Sequence, residues 1–195
     1  MPPERWADRE EIKELKARYF RHVDAKEWEL LRRLFAPDVK FFGVPRPFDN
    51  GDAFVDWVSD WFADAVTDHH ADVPEITFLG PAVARAIWPM TDRIEFLSER
   101  TPQTRTAAAG ESPDATSSST ERWGPFGFTG AGHYHDEYRL IDGEWKISVW
   151  SLTRIRVDRL NEPSGLLTPP AAGLIASRAT AWMRGDVTAQ ELLQP

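Results

Sequence analysis

Apolar residues recur at helical spacing along the first third of the chain, and from residue 73 onward they recur at every second position. Ile12, Leu15, Tyr19 and Val23 form one stripe of an amphipathic helix. Asp8 is its expected N-cap, with Glu10 and Glu11 favourably placed in the first turn. A phenol, Tyr19, lies on the stripe, and a carboxylate, Asp24, stands where the stripe ends. A second short amphipathic stretch, Trp28 to Phe35, is closed by Ala36-Pro37-Asp38, because proline disfavours helix at the residue before it. Val39 to Phe42 then reads as a strand, followed by a Pro- and Gly-containing loop at 43–51. A third helix is expected from Asn50 or Asp52, with Phe54, Trp57, Val58, Trp61, Phe62 and Ala65 on one face.

The alternating part predicts strands. Val73 to Leu79 is one, turned at Gly80-Pro81, and Ala82 to Leu97 is a longer one. The even positions of the longer strand, Ala84, Ala86, Trp88, Met90, Ile94 and Phe96, are apolar, and Asp92 is the exception among them. Pro89 in its middle predicts an edge strand or a bulge. Residues 99–122 are rich in Ser, Thr, Ala, Gly and Pro and read as a flexible insertion. A strand from Phe128 to Ile141 and its return from Glu144 to Val157 are joined by Asp142-Gly143, a tight-hairpin signal. Beyond lies an extension, 158–195, with a helix read at 171–184. Helices, a strand, a helix and then a run of antiparallel strands make an α+β layout, with helices on one face of a curved sheet.

Composition narrows the function. Nine Trp and eleven Phe are an unusual amount of aromatic surface, which points to a thick core, a greasy cavity or a large subunit interface. A net charge of −8 argues against a nucleic-acid partner. The absence of cysteine removes thiolate chemistry and Cys-ligated zinc. MPPERWADRE lacks the apolar core of a signal peptide, and no apolar run approaches the ~20 residues that span a bilayer. The expectation is a cytoplasmic protein without a membrane partner.

The chemistry-bearing residues are few. The five histidines include His69-His70 and His133-x-His135. His133 and His135 share a strand face, but no third ligand is spaced to make a metal site with them, so no metal is expected. Either His69 or His70 could enter the concavity as a general base, with Asp24 as the carboxylate that orients it. No nucleophile-elbow serine, P-loop or dinucleotide fingerprint is present.

The segment Glu11–Leu15 through Tyr19–Asp24, with Trp28 and Leu34-Phe35-Ala36-Pro37-Asp38, resembles the opening of SnoaL-like proteins of the NTF2-like superfamily. His69 with Pro74-Glu75-Ile76, Gly132-x-Tyr134-x-Asp136-Glu137-Tyr138 and Asp142-Gly143-x-Trp145-Lys146-Ile147 carry the same resemblance. It implies an NTF2-like (cystatin-like) cone over residues 1–157, with helices packed on a strongly curved antiparallel sheet around an apolar pocket. Scytalone dehydratase, ketosteroid isomerase, polyketide cyclases and a dehydrochlorinase share that fold. By motif the chain is most similar to the bile acid 7α-dehydratases.

That resemblance puts catalytic roles on Tyr19, Asp24 and His69, and favours His69 over His70, because it lies seven positions before Ile76. It also puts substrate-binding roles on Asp92 and Arg154. Trp88 and Trp150 are expected to line the pocket. Arg154 shares its strand face with Trp150 and Leu152, so it interrupts an apolar run as Asp92 does. The implied activity is a cofactor-independent lyase that dehydrates a hydrophobic, steroid- or polyketide-like hydroxy-carbonyl compound. An isomerase or cyclase of the same fold, or a non-catalytic ligand-binding module, is the alternative. A homo-oligomer, trimer or dimer, is expected.

Overall fold

The computed structural model describes residues 3–99 and 124–162, and beyond them 181, 183, 184, 186–188 and 191. The insertion read at 99–122 and the helix read at 171–184 fall outside the described residues, apart from Glu99 and the isolated positions just given. Three helices, α1 (Pro3–Asp24), α2 (Trp28–Arg32) and α3 (Gly51–Trp61), pack on a six-stranded sheet. Its strands are β1 (Phe35–Phe42), β2 (Ala65–Ala71), β3 (Glu75–Gly80), β4 (Val83–Phe96), β5 (Gly127–Ile141) and β6 (Glu144–Arg159). The order across the sheet is β1-β6-β5-β4-β2, with β3 also on β4. This is the α+β cone expected, with one difference: β1 pairs with β6 in parallel, and the other pairs are antiparallel. No described helix is long and apolar enough to cross a membrane.

The stripe on α1 is buried as its spacing predicts, with Ile12, Leu15, Tyr19 and Val23 almost without solvent contact. The helix starts earlier than expected, so Asp8 lies inside it rather than capping it. The reason is tertiary. Arg5 donates to the Gly80 carbonyl at 2.9 Å and Arg9 to that of Ile76 at 2.8 Å, which ties the first turns to β3. Asp8 instead accepts from the Trp145 indole at 3.1 Å.

The C-terminus of α1 closes with two crossed backbone bonds, Glu27 N–H to the His22 carbonyl and Lys26 N–H to that of Val23. This is the Schellman pattern, in which the residue at the Lys26 position is left-handed and usually glycine. Lys26 occupies it with φ of 59°, a conformation that costs a side-chain-bearing residue about 1 kcal/mol.

In α3 the Asn50 side chain accepts from the Ala53 N–H at 2.9 Å, an N-cap that sets where the helix begins. Asn50→Ala is expected to lower stability by about 1 kcal/mol, read as a shift in the urea midpoint with unchanged slope. The helix ends at Trp61, so Ala65, expected on its face, belongs instead to β2. That strand was not expected, because Asp68-His69-His70 gives it no apolar alternation.

β4 does alternate. Ala84, Ala86, Trp88, Met90, Asp92, Ile94 and Phe96 are all buried. It is not an edge strand, however. β5 lies along one side, while β2 pairs with Met90 to Phe96 and β3 with Val83 to Ile87 on the other. Pro89 falls in the gap between β2 and β3, where its carbonyl accepts from Asp72. Residue N–H and C=O groups point to the same side of a strand, so the donor that proline lacks would have faced this gap.

The long β5–β6 hairpin bends at irregularities near Ala131/Gly132 and Glu137/Tyr138. Any Cβ at Gly132 would lie 2.1 Å from the Thr153 carbonyl oxygen, so the close approach there requires glycine. Of the described tryptophans, Trp6 is exposed and the others are buried or half-buried, so aromatic abundance fills the interior.

Candidate active site

The concave face of the sheet and the helices enclose a cavity of about 480 Å³. Its floor and walls are largely aromatic: Tyr19, with the aliphatic Val23 beside it, from α1, Phe54, Trp57 and Trp61 from α3, and Tyr134 and Trp150 from β5 and β6. Gly43, Val44 and Pro45 form one side. Polar groups enter this wall at few points, which is the usual make-up of a small-molecule site.

Asp24 and His69 make one of those points. The His69 Nδ1 lies 2.6 Å from Asp24 Oδ1, and the His69 backbone N–H donates to Asp24 Oδ2 at 3.0 Å. The Thr67 hydroxyl donates to Oδ1 at 2.9 Å. Thr67 and His69 are two positions apart on β2, so they face the same way, toward the end of α1. His70 faces the other way, is exposed, and pairs with Asp68 at 2.9 Å. The carboxylate can only accept, so it fixes the ring proton on Nδ1 and leaves Nε2 as the basic atom. Phe20 stacks on the imidazole at 6.2 Å between centroids, and Phe62 lies at 6.1 Å. The His69 side chain is 7% exposed.

Directly across the β2–β4 pairing from His69 is Asp92. Arg154 on β6 grips Asp92 with both guanidinium nitrogens, one at 2.8 Å and the other closer still. The pair bridges over Gly130 on the intervening strand. A Cβ there would lie 2.1 Å from Arg154 Nη1 and 2.5 Å from Asp92 Oδ1, so glycine at this position makes room for the bridge. Gly130→Ala is expected to force the pair apart and destabilise the protein by about 1–3 kcal/mol, read by chemical denaturation.

Tyr19 is held as a phenol. Burial raises its pKa strongly, and the Asp136 carboxylate adds to the effect, while the Trp150 indole N–H and the Tyr134 hydroxyl on its oxygen oppose it. Trp150 Nε1 closes no well-formed hydrogen bond among the described residues, so it approaches the Tyr19 oxygen without a tight contact. Burial likewise keeps Tyr134 protonated. Both phenols are therefore hydrogen-bond donors near neutral pH, not bases.

Of the residues expected at the site, Tyr19, His69, Asp92, Trp150 and Arg154 line the cavity, and Asp24 holds His69 from behind. Trp88 is not among the lining residues. Its indole donates to the Tyr138 hydroxyl at 3.0 Å in the core beneath. His133 and His135 sit on the opposite strand face from Tyr134, with rings 6.2 Å apart. No group of three or more His, Asp or Glu among the described residues is arranged to hold a metal ion.

Four polar residues of this region were not anticipated. Lys16 lies on the buried stripe of α1 and pairs with Asp136 at 2.7 Å, both side chains almost fully buried. Its ammonium rests 3.5 Å from the centre of the Tyr134 ring, a cation–π contact beneath the cavity floor. The alternation that exposed Asp92 would have exposed Asp136 too, since it shares a face with Tyr134 and Tyr138. Thr67 was hidden with its strand. Lys26 donates to the Thr67 hydroxyl oxygen at 2.8 Å, and nothing local to the sequence marks it.

Solved structures share this architecture. A candidate scytalone dehydratase from Novosphingobium aromaticivorans DSM 12444 superposes with a TM-score of 0.64 at 18% identity, covering 86% of this chain and 99% of that one. A hexachlorocyclohexane dehydrochlorinase, LinA-type3 from Novosphingobium barchaimii LL02, does so at 0.61 and 18% identity, covering 85% and 97%. A cystatin-like protein of unknown function from Nostoc punctiforme PCC 73102 matches at 0.52 and 15% identity, over 76% and 91%. At such identities the likeness is one of fold. The sequence itself goes further: residues 4–151 match the SnoaL-like domain, and the chain belongs to that family.

Proposed function

We propose that this protein is a cofactor-independent lyase that removes water from a hydrophobic β-hydroxy carbonyl compound or a vinylogous equivalent. The observation that carries the reading is the 2.6 Å contact between Asp24 and His69 at the wall of an aromatic cavity. A binding module has no need of an oriented imidazole there. His69 Nε2 takes the proton from the carbon next to the carbonyl, and the electron pair moves into an enolate. The bond from the β-carbon to the hydroxyl oxygen then breaks, the imidazolium returns its proton to that oxygen, and an enone and water leave. Asp24 keeps the ring oriented and stabilises the imidazolium between the two steps. Tyr19 donates to the enolate oxygen as charge develops, in surroundings where water does not compete. The Asp92–Arg154 pair gives the polar end of the substrate a rigid wall to bind. Scytalone dehydratase and dehydrochlorinase, the activities named for two structural neighbours, are both eliminations.

A cavity of about 480 Å³ lies within the usual range for a drug-sized ligand. That size, with Trp57, Trp61 and Trp150 in the wall, favours a compact, largely apolar ring system such as a steroid or aromatic polyketide. The test is to incubate the protein with a panel of polycyclic β-hydroxy ketones and weigh the products. Loss of the mass of water with growth of enone absorbance supports the reading. Product of unchanged mass reassigns the same dyad to isomerisation or cyclisation, and the absence of any turnover across the panel contradicts it.

A further inference from the structure

Asp24 is reached from behind by a second polar chain that the proposed reaction does not use. Lys26 Nζ donates to Thr67 Oγ1 at 2.8 Å, and Thr67 Oγ1 donates to Asp24 Oδ1 at 2.9 Å. We propose that Lys26 and Thr67 are positioning residues that set the direction of the hydrogen bond on Asp24 and, through it, the electrostatics of His69. The inference rests on the acid–base reading of that dyad.

The chemistry of the three groups fixes the direction. An ammonium has three donors and no acceptor, and a hydroxyl has one proton. With Lys26 charged, the Thr67 oxygen must accept from it, so the single Thr67 proton is available for Asp24. A neutral amine can accept. Once Lys26 loses its proton, the Thr67 hydroxyl is free to turn toward the nitrogen, and Asp24 then faces His69 with one donor fewer. The chain therefore has two arrangements, selected by the charge on Lys26.

Three further observations support a functional placement of this lysine. It holds the left-handed position in the Schellman end of α1, where glycine is favoured, so the backbone gains nothing from a lysine here. Its ammonium is enclosed by the Phe62 ring at 4.9 Å and the Trp28 ring at 5.8 Å. Burial lowers its pKa to about 8, with Asp24 opposing the shift. The other charged and titratable groups near the dyad are Tyr19 on α1, which feels the Asp24 charge, and Asp92 on β4, held by Arg154 on β6.

The experiment needs no substrate, so its outcome is independent of whether the panel above yields turnover. The downfield Nδ1 proton of His69 is followed by NMR as pH is raised, in wild type, Lys26→Gly and Thr67→Val. Wild type is expected to show a step centred near pH 8, where Lys26 titrates. Lys26→Gly, which suits the local backbone and so keeps the end of the helix, is expected to lose the step entirely. Thr67→Val is expected to lose most of it while the Lys26 amine still titrates in its own resonance. A flat wild-type profile, or a step that survives in Lys26→Gly, overturns the proposal. A step that survives undiminished in Thr67→Val would show the Lys26 charge acting on Asp24 through space rather than through the hydroxyl, and overturns it as well.

Discussion

Alanine in place of His69 is expected to lower kcat by about 10²–10⁴-fold on any hydroxy-carbonyl compound that the wild type dehydrates, with KM little changed. The expectation follows from geometry. His69 presents the one basic nitrogen that the dyad leaves available to the cavity, and the phenols around it are held protonated by burial. Neither Tyr19 nor Tyr134 can take over as base near neutral pH. In the proposed reading binding comes from Trp57, Trp61 and Trp150, which line the cavity and which the substitution does not touch. Asp24→Asn is expected to be nearly as damaging, for a different reason. Asp24 now accepts from the His69 backbone N–H, the Thr67 hydroxyl and the imidazole. An asparagine must turn its amide protons toward one of these partners. If they meet Nδ1, the ring proton moves to Nε2 and no base faces the cavity; inversion of this kind costs ~10⁴ in a serine protease triad. Steady-state kinetics with correctly folded variants checks both.

Lys16→Met is expected to have the largest effect on stability, a loss of about 3–5 kcal/mol by denaturant unfolding. Methionine fills the space left by the lysine stem, so the loss comes from the charge. Asp136 would keep only the Tyr138 hydroxyl at 3.0 Å, while its other oxygen already makes no hydrogen bond among the described residues. An unpaired carboxylate buried to that degree is strongly disfavoured. Removing both charges, as in Lys16→Met with Asp136→Leu, is expected to recover much of the loss, because a well-packed apolar pair often replaces a buried ion pair without penalty. A loss below about 1 kcal/mol in the single variant would show that water reaches this pair.

The elements with a strong local period were legible in the sequence. The stripe of α1, the apolar face of α3, the alternation of β4 and the Asp142-Gly143 hairpin each declare themselves within a dozen residues. β2 does not. Asp68, His69 and His70 interrupt any alternation, and the strand exists because β4 offers Met90 to Phe96 as a pairing edge. Pro89 was misleading for a related reason, since its missing donor falls where one neighbouring strand gives way to another. At the site, Asp92 and Arg154 stood out as charges on apolar faces, and Asp24 as a carboxylate at the end of a buried stripe. The residues suggested Asp24 as partner to His69 or His70, and the choice of His69 came from family resemblance, because no local rule joins residues 45 positions apart. Lys26 was invisible, since it takes a backbone conformation that the sequence gives to glycine by default.

The central claim is that Asp24 and His69 act as one acid–base unit, and a double-variant cycle tests it most directly. kcat/KM for elimination is compared in wild type, Asp24→Asn, His69→Ala and the two combined. Groups that work as a unit are strongly non-additive, so the double variant is predicted to be no more than a few-fold worse than His69→Ala alone. Losses that multiply, or His69→Ala turning over at the wild-type rate, would contradict the account.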